Sequence, residues 1–258
     1  MMTSRRSVIL GGLMLLSSLD LYAQSKEINI VYIGDSITQG VQLADPVTQA
    51  PPATASMNLQ HREGIATVNF SNQGRSGFTT VDFLPPGETF KHVEVAASEL
   101  AQKPGLLIFS IMLGTNDSAI TGPNGAPVSP ENYFGNLKSI IDKLLNDYPE
   151  SKILLHYPTW YSPNTYNGAQ YLQQGLDRLQ SYFPQLRKLV KYYAAANPGK
   201  VFIGDKKAFG YFKKNALTDL IPENGHRGTF HLHPNVKGAA ALGSYWANAI
   251  YKLAMASK

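Results

Sequence analysis

Residues 106–113 read Leu-Leu-Ile-Phe-Ser-Ile-Met-Leu, an almost unbroken apolar run with no strand-like alternation. A strand with one wet face alternates in polarity, whereas one covered on both faces does not, and the latter is the condition of an interior strand in a parallel sheet. Four further apolar runs, residues 28–33, 65–70, 152–157 and 201–203, read as companion strands. Helical repeats fall between and after them, over 93–102, 132–146, 170–196 (interrupted at Pro184) and 235–253. Leu137, Ile140, Ile141, Leu144 and Leu145 form one apolar stripe; Leu242, Trp246, Ile250 and Leu253 form another. Strands alternating with helices imply right-handed crossovers and a parallel sheet, so the fold class is α/β. Residues 42–60, 121–130 and 157–171 lack a clear period and read as loops.

The chain has 258 residues, the size of one α/β domain. Apolar residues make up 43% and charged residues only 16%, which supports a sizeable core and argues against disorder. Residues 1–23 have the three parts of an export signal: Arg5 and Arg6, an apolar stretch over 8–16, and the small Ala23 ahead of Gln24. The apolar stretch is short for a membrane span. The reading is therefore a signal peptide over 1–23 and one domain over 24–258, exported to the periplasm or beyond the cell, with no membrane anchor. The absence of cysteine excludes disulfides and thiolate metal sites. The formal charge of +5 comes from scattered lysines, with no dense basic stripe of the kind nucleic-acid binders carry.

Four segments bear chemistry. Gly34-Asp35-Ser36 follows the first strand and delivers a serine to the sheet edge where open α/β folds place their sites. Backbone N–H groups of a helix opening there would point at its oxygen. Asn72-Gln73-Gly74-Arg75 follows the second strand, and a glycine at a strand edge allows close backbone approach with an N–H to offer. Gly114-Thr115-Asn116-Asp117 follows the third, and the Asn116 amide is a neutral donor suited to an oxyanion. Phe230-His231-Leu232-His233-Pro234 precedes the last helix; a neutral imidazole in that fixed turn can take a proton from a serine and return it to a leaving alcohol. His-Leu-His could instead ligate a metal, but nothing around it has the spacing of a known zinc set.

In the order Ser36, Gly74, Asn116, His233 the chain resembles the SGNH branch of the GDSL esterase/lipase family. The resemblance spans residues 34–235 and implies a three-layer, flavodoxin-like fold with a five-stranded parallel sheet. It also implies a serine esterase without cofactor: Ser36 as nucleophile, His233 as base, and an oxyanion hole from the Ser36 N–H, the Gly74 N–H and the Asn116 amide. His231 is a rival base outside the His-Pro register. Members of the family usually carry Asp three residues before the catalytic histidine, and here that residue is Phe230. An orienting group must come from elsewhere: Asp219, Glu223 or a backbone carbonyl.

The segments 157–171 and 219–234 look similar to those of sialate and related sugar O-acetylesterases. Asp35, Arg75 and Trp160 are the candidate substrate contacts, with Arg75 positioned to hold a substrate carboxylate such as a sialic acid's. The expected substrate is a small-molecule or glycan ester, with acetyl removed from carbohydrate. A lysophospholipase or thioesterase acting on longer chains, and a non-catalytic carbohydrate-binding module favoured by Phe230, are the competing readings.

Overall fold

The structure is a computed structural model and describes residues 25–256. The export signal read over 1–23 lies outside the described residues. Five parallel strands form the sheet: β1 (Lys26–Gly34), β2 (Ile65–Gly74), β3 (Leu106–Met112), β4 (Lys152–Leu155) and β5 (Val201–Ile203), in the order β2-β1-β3-β4-β5. The sequence of elements continues with α1 (Ser36–Gln39), α2 (Pro46–Gln49) and α3 (Pro51–Gln60) between β1 and β2, then α4 (Glu88–Ala101), α5 (Pro130–Asp147) and α6 (Leu172–Ala196) as the next three crossovers. After β5 come α7 (Ala208–Asp219), the antiparallel hairpin β6 (Leu220–Gly225) and β7 (Gly228–Pro234), and α8 (Val236–Ala256).

The chain winds outward from β1 in both directions. Right-handed crossovers therefore put α3 on one face and α4, α5 and α6 on the other. α8 returns to the α3 face, where Trp246 stacks on Tyr32 of β1 with ring centroids 5.7 Å apart. Both rings are fully buried. The five expected strands are all present. β2 extends four residues beyond its apolar run because it is a sheet-edge strand, with Phe70 40% exposed.

Two stretches depart from the sequence reading. Residues 42–60, expected as loop, contain α2 and α3: Pro46 and Pro51 each sit at a first helical position, where a missing N–H costs nothing. Asp45 caps α2 by accepting from the Val47 N–H at 3.2 Å. Prolines read as breakers are helix starters here. The second departure is α7 and the hairpin β6–β7, which fill residues 208–234 with a small second sheet.

The register of the main sheet positions the site. Gly34 lies beside Gly74 of β2 and Met112 of β3, so three strands end level. The loops that follow them converge at the point where the chain departs to left and right of β1, which is where ligands bind in open α/β sheets. Packing there is tight enough to require glycine. A Cβ on Gly34 would lie 2.0 Å from the Thr38 hydroxyl, and one on Gly74 2.2 Å from the Gln39 amide nitrogen.

Candidate active site

Ser36 is the first residue of α1, a helix of only four residues. So short a helix has almost no macrodipole, and what it offers is local: the Ser36 N–H, which has no intrahelical partner at that position. Asp35 holds the turn as N-cap, accepting from the Ile37 N–H at 3.0 Å. Burial raises the Asp35 carboxyl above its ordinary range, against the lowering effect of the Ile37 donor. Asp35 is fully buried and does not line the cavity, so it supports the serine and is not placed to touch a substrate.

The Ser36 hydroxyl lies 3.0 Å from His233 Nε2, and His233 Nδ1 lies 2.9 Å from Glu223 Oε1. Nδ1 also lies 3.3 Å from Gln42 Nε2, but the carboxylate is its nearer partner. Nδ1–H donates to the carboxylate, which leaves Nε2 as the acceptor for the serine proton. Glu223 Oε1 also accepts from the His233 backbone N–H at 3.2 Å, and Oε2 accepts from Gln42 Nε2 at 2.5 Å. Burial pushes the Glu223 carboxyl up, but hydrogen bonds and charge attraction from His233, with the Gln42 donor, outweigh it and leave it below the usual range.

Glu223 answers the question left by Phe230. In the hairpin register Glu223 of β6 pairs with Phe230 of β7. The acid is therefore on the strand opposite the position where the family usually carries it, and the longer side chain reaches diagonally to His233. Phe230 is buried in the core. Asp219, the other candidate, serves the fold: it accepts from Tyr211, from Thr218 and from Lys237 Nζ at 2.7 Å. His231 is not part of the Ser36–His233–Glu223 hydrogen-bond relay; its backbone N–H donates to Ser162 Oγ at 2.8 Å.

Asn116 is held at both ends of its amide. Its Oδ1 accepts from Tyr171 OH at 2.7 Å, and one Nδ2 proton goes to the Phe78 carbonyl at 2.9 Å. The second Nδ2 proton remains, and Asn116 lines the same cavity as Ser36 and His233. The loop that carries it is tied down by Asp117, whose carboxylate accepts from the Thr80 N–H at 3.0 Å and from the Thr80 hydroxyl. Burial pushes the Asp117 carboxyl up to about 7, although the Thr80 donors lower it. Gly74 differs from expectation. Its N–H donates to Asn72 Oδ1 at 2.9 Å, and it is absent from the cavity lining, so the close packing against α1 is its evident use. The Ser36 N–H and the second Asn116 Nδ2 proton are the donors of these three groups that remain to be met in the site.

The cavity has a volume of about 450 Å³. Neither Arg75 nor Trp160 lines it. The Arg75 guanidinium donates to the Gly74 carbonyl at 3.2 Å, and Trp160 packs against the core half-buried. Of the aromatic residues in 157–171, Tyr157 stacks on Phe183, Tyr161 bonds to Ser118, and Tyr171 alone faces the cavity. The loop aromatics are chiefly packing. Gln42 and Glu223 are the site residues that the motifs did not single out as a pair. The one local signal is at Gln42, whose φ of +70° puts a non-glycine residue in the left-handed region, a form of strain that gathers at functional sites.

Among the described residues no group of three or more His, Cys, Asp or Glu side chains is placed to hold a metal ion. No described helix is long and apolar enough to cross a membrane.

A hydroxyl on an imidazole, that imidazole on a carboxylate, and amide donors alongside are what cleavage of an acyl bond needs, and the parallel sheet presents them at its switch point. Fold and site define the class: a carboxylic ester hydrolase. The chain belongs to the GDSL-like Lipase/Acylhydrolase family, whose profile matches residues 32–241. No curated protein sequence matches it. Among solved structures it is similar to a carbohydrate acetylesterase from Sinorhizobium meliloti, with 19% identity and a TM-score of 0.59 over 87% of this chain and 99% of that one. It is also similar to an aryl esterase from M. smegmatis, with 18% identity and a TM-score of 0.56 over 87% and 99%. A lipase/acylhydrolase from Enterococcus faecalis gives 21% and 0.55 over 87% and 95%. At these identities the likeness is one of fold.

Proposed function

We propose that the protein removes short acyl groups, acetyl above all, from carbohydrate hydroxyls through an acyl-enzyme on Ser36. The observation that carries this reading is the Ser36–His233–Glu223 chain of hydrogen bonds opening into a cavity walled largely by glycines and short polar side chains. In the reaction His233 Nε2 takes the Ser36 proton as Oγ attacks the ester carbonyl. The oxyanion forms beside Ser36 N–H and Asn116 Nδ2. Nε2–H then protonates the departing sugar oxygen, and water repeats the steps to release acetate. Glu223 accepts from Nδ1–H throughout, which fixes the tautomer and stabilises the imidazolium.

The substrate reading rests on the walls. Ser76, Asn124 and Asn167 suit a hydroxyl-rich leaving group, and they share the wall with Phe78, Pro123, Ala169 and Leu232. A long acyl chain would need a continuous apolar trough. Rates on aryl esters should therefore fall from acetyl to octanoyl, and a rise along that series would favour the longer-chain hydrolase. Export by the segment 1–23 is part of the same proposal, and a mature chain beginning at Gln24 in the cell envelope or medium would support it.

The deciding experiment is acetate release from O-acetylated sugars, xylan, pectin, sialic acids and an aryl acetate, with wild type and Ser36→Ala. Serine-dependent release from a sugar class supports the proposal; release from aryl acetate alone leaves an esterase without the carbohydrate part.

Two further outcomes follow from the geometry. Asn116→Ala removes a pre-set oxyanion donor, and kcat is expected to drop about 10²–10³-fold with little change in KM. Gln42→Ala removes a hydrogen bond to a charged carboxylate, expected to lower kcat about ten-fold. Gln42→Gly should lower kcat equally without lowering Tm, because glycine relieves the left-handed backbone while losing the same amide. Unchanged kcat in both Gln42 variants would remove Gln42 from the account.

A further inference from the structure

The substrate class can be narrowed by the charges that face the cavity. Among the described lining residues Asp82 is the one carboxylate, and there is no lysine or arginine. Asp82 is built in rather than loose. Its Oδ2 accepts from the Thr79 N–H at 2.8 Å and from Thr79 Oγ1 at 3.1 Å, and its Oδ1 accepts from Asn124 Nδ2 at 2.8 Å. These donors join the loop after β2 to the loop after β3 at the cavity wall and hold the carboxylate there.

The cations nearby are turned to other uses. Arg75 donates to the Gly74 carbonyl, and Arg178 Nη1 donates to the Ser118 carbonyl at 2.7 Å. Arg227 sits exposed in the turn between β6 and β7, outside the lining. His233 faces the cavity, but Glu223 already balances any charge it gains. Neutral groups complete the wall. Asn167 Oδ1 accepts from the Ala169 N–H at 2.9 Å, which leaves its Nδ2 to donate, and Ser76 adds a hydroxyl.

We infer that this site takes uncharged acetylated sugars and disfavours acidic ones, with Asp82 as the specificity-determining residue; this rests on the carbohydrate esterase reading above. A substrate carboxylate would enter an open cavity that presents a fixed negative charge and no lining cation to meet it, and like charges repel across several ångströms. A neutral sugar can instead donate a hydroxyl to Asp82 and accept from Asn167. The sialic acid substrate anticipated from Arg75 is thereby replaced by a neutral one.

Two matched pairs test this. The first is 4-acetoxybenzoate and its methyl ester, with rates corrected for their hydroxide-catalysed hydrolysis. The second is an O-acetylated sialic acid and its methyl ester, which share ring and acetyl group and differ in one charge. Wild type is expected to favour the neutral member of each pair by about ten-fold or more in kcat/KM, with the gap narrowing as salt is raised. Asp82→Asn should close most of the gap. If Asp82 only latched Asn124, the variant would slow both members and leave their ratio unchanged, which would overturn the inference. Equal rates within the aryl pair for wild type, or faster cleavage of the acids, would overturn it too. Loss of both sugar substrates with the aryl preference intact would instead overturn the carbohydrate reading and leave the charge rule standing for esters in general.

Discussion

Ser36→Ala is expected to lower kcat by on the order of 10⁶ and to leave the fold unchanged. The hydroxyl has a single hydrogen-bond partner, His233 Nε2 at 3.0 Å. What Ser36 contributes to the structure is backbone: the start of α1 behind the Asp35 cap. The substitution therefore removes the nucleophile and little else. His233→Ala should cost about as much, and the double variant hardly more, because the two groups act in one step. A fluorophosphonate probe should label the peptide containing Ser36 in the wild type and nothing in the Ser36→Ala protein. Substantial turnover by Ser36→Ala, with labelling at another residue, would falsify the assignment.

Glu223→Gln should lower kcat by roughly 10³–10⁴ while KM moves little. Glutamine keeps the size of the side chain but can present an amide N–H to His233 Nδ1, which would favour the tautomer with Nε2 protonated and unable to accept from serine. The matched control is Asp219→Asn. Asp219 is fully buried with Lys237, Tyr211 and Thr218 around it and makes no contact with His233, so its loss should reduce Tm and spare kcat. The two acids thus separate function from stability. The pH dependence follows from the same geometry. The Glu223 carboxyl is held below the ordinary range by its His233 and Gln42 partners, so it remains ionised to lower pH than a free glutamate. Loss of the carboxylate's charge therefore cannot explain a fall of kcat at or above the ordinary glutamate range; a Glu223 titration followed by carboxyl NMR at or above that range would contradict this.

The hairpin β6–β7 shows why the acid was hard to read. A serine, a glycine, an asparagine and a histidine each stand directly after or before a strongly patterned element, so sequence places them at one sheet edge. Glu223 stands ten residues before His233 on a strand with little periodicity and with Pro222 beside it. Its proximity comes from antiparallel pairing and a register shift between Leu220 and Pro222. Both Asp219 and Glu223 were compatible with the sequence, because their separation from His233 along the chain carries no information about distance across a hairpin. The same limit applies to Arg75 and Trp160. Their neighbours in sequence mark the site, but side-chain direction put one on a backbone carbonyl and the other into the core.

Apolar patterning determined the five strands and their parallel arrangement, and residue types at three strand ends and ahead of the last helix marked the four motif segments, since burial on both faces and helical repeats are local properties of composition. Only tertiary structure decided that Glu223 orients the histidine, that Gln42 braces Glu223, that the Gly74 N–H is taken by Asn72, and that the cavity wall carries Asp82 without a facing cation. Those facts depend on distances of about 3 Å between residues far apart in the chain, which packing and strand register set and which no local pattern encodes.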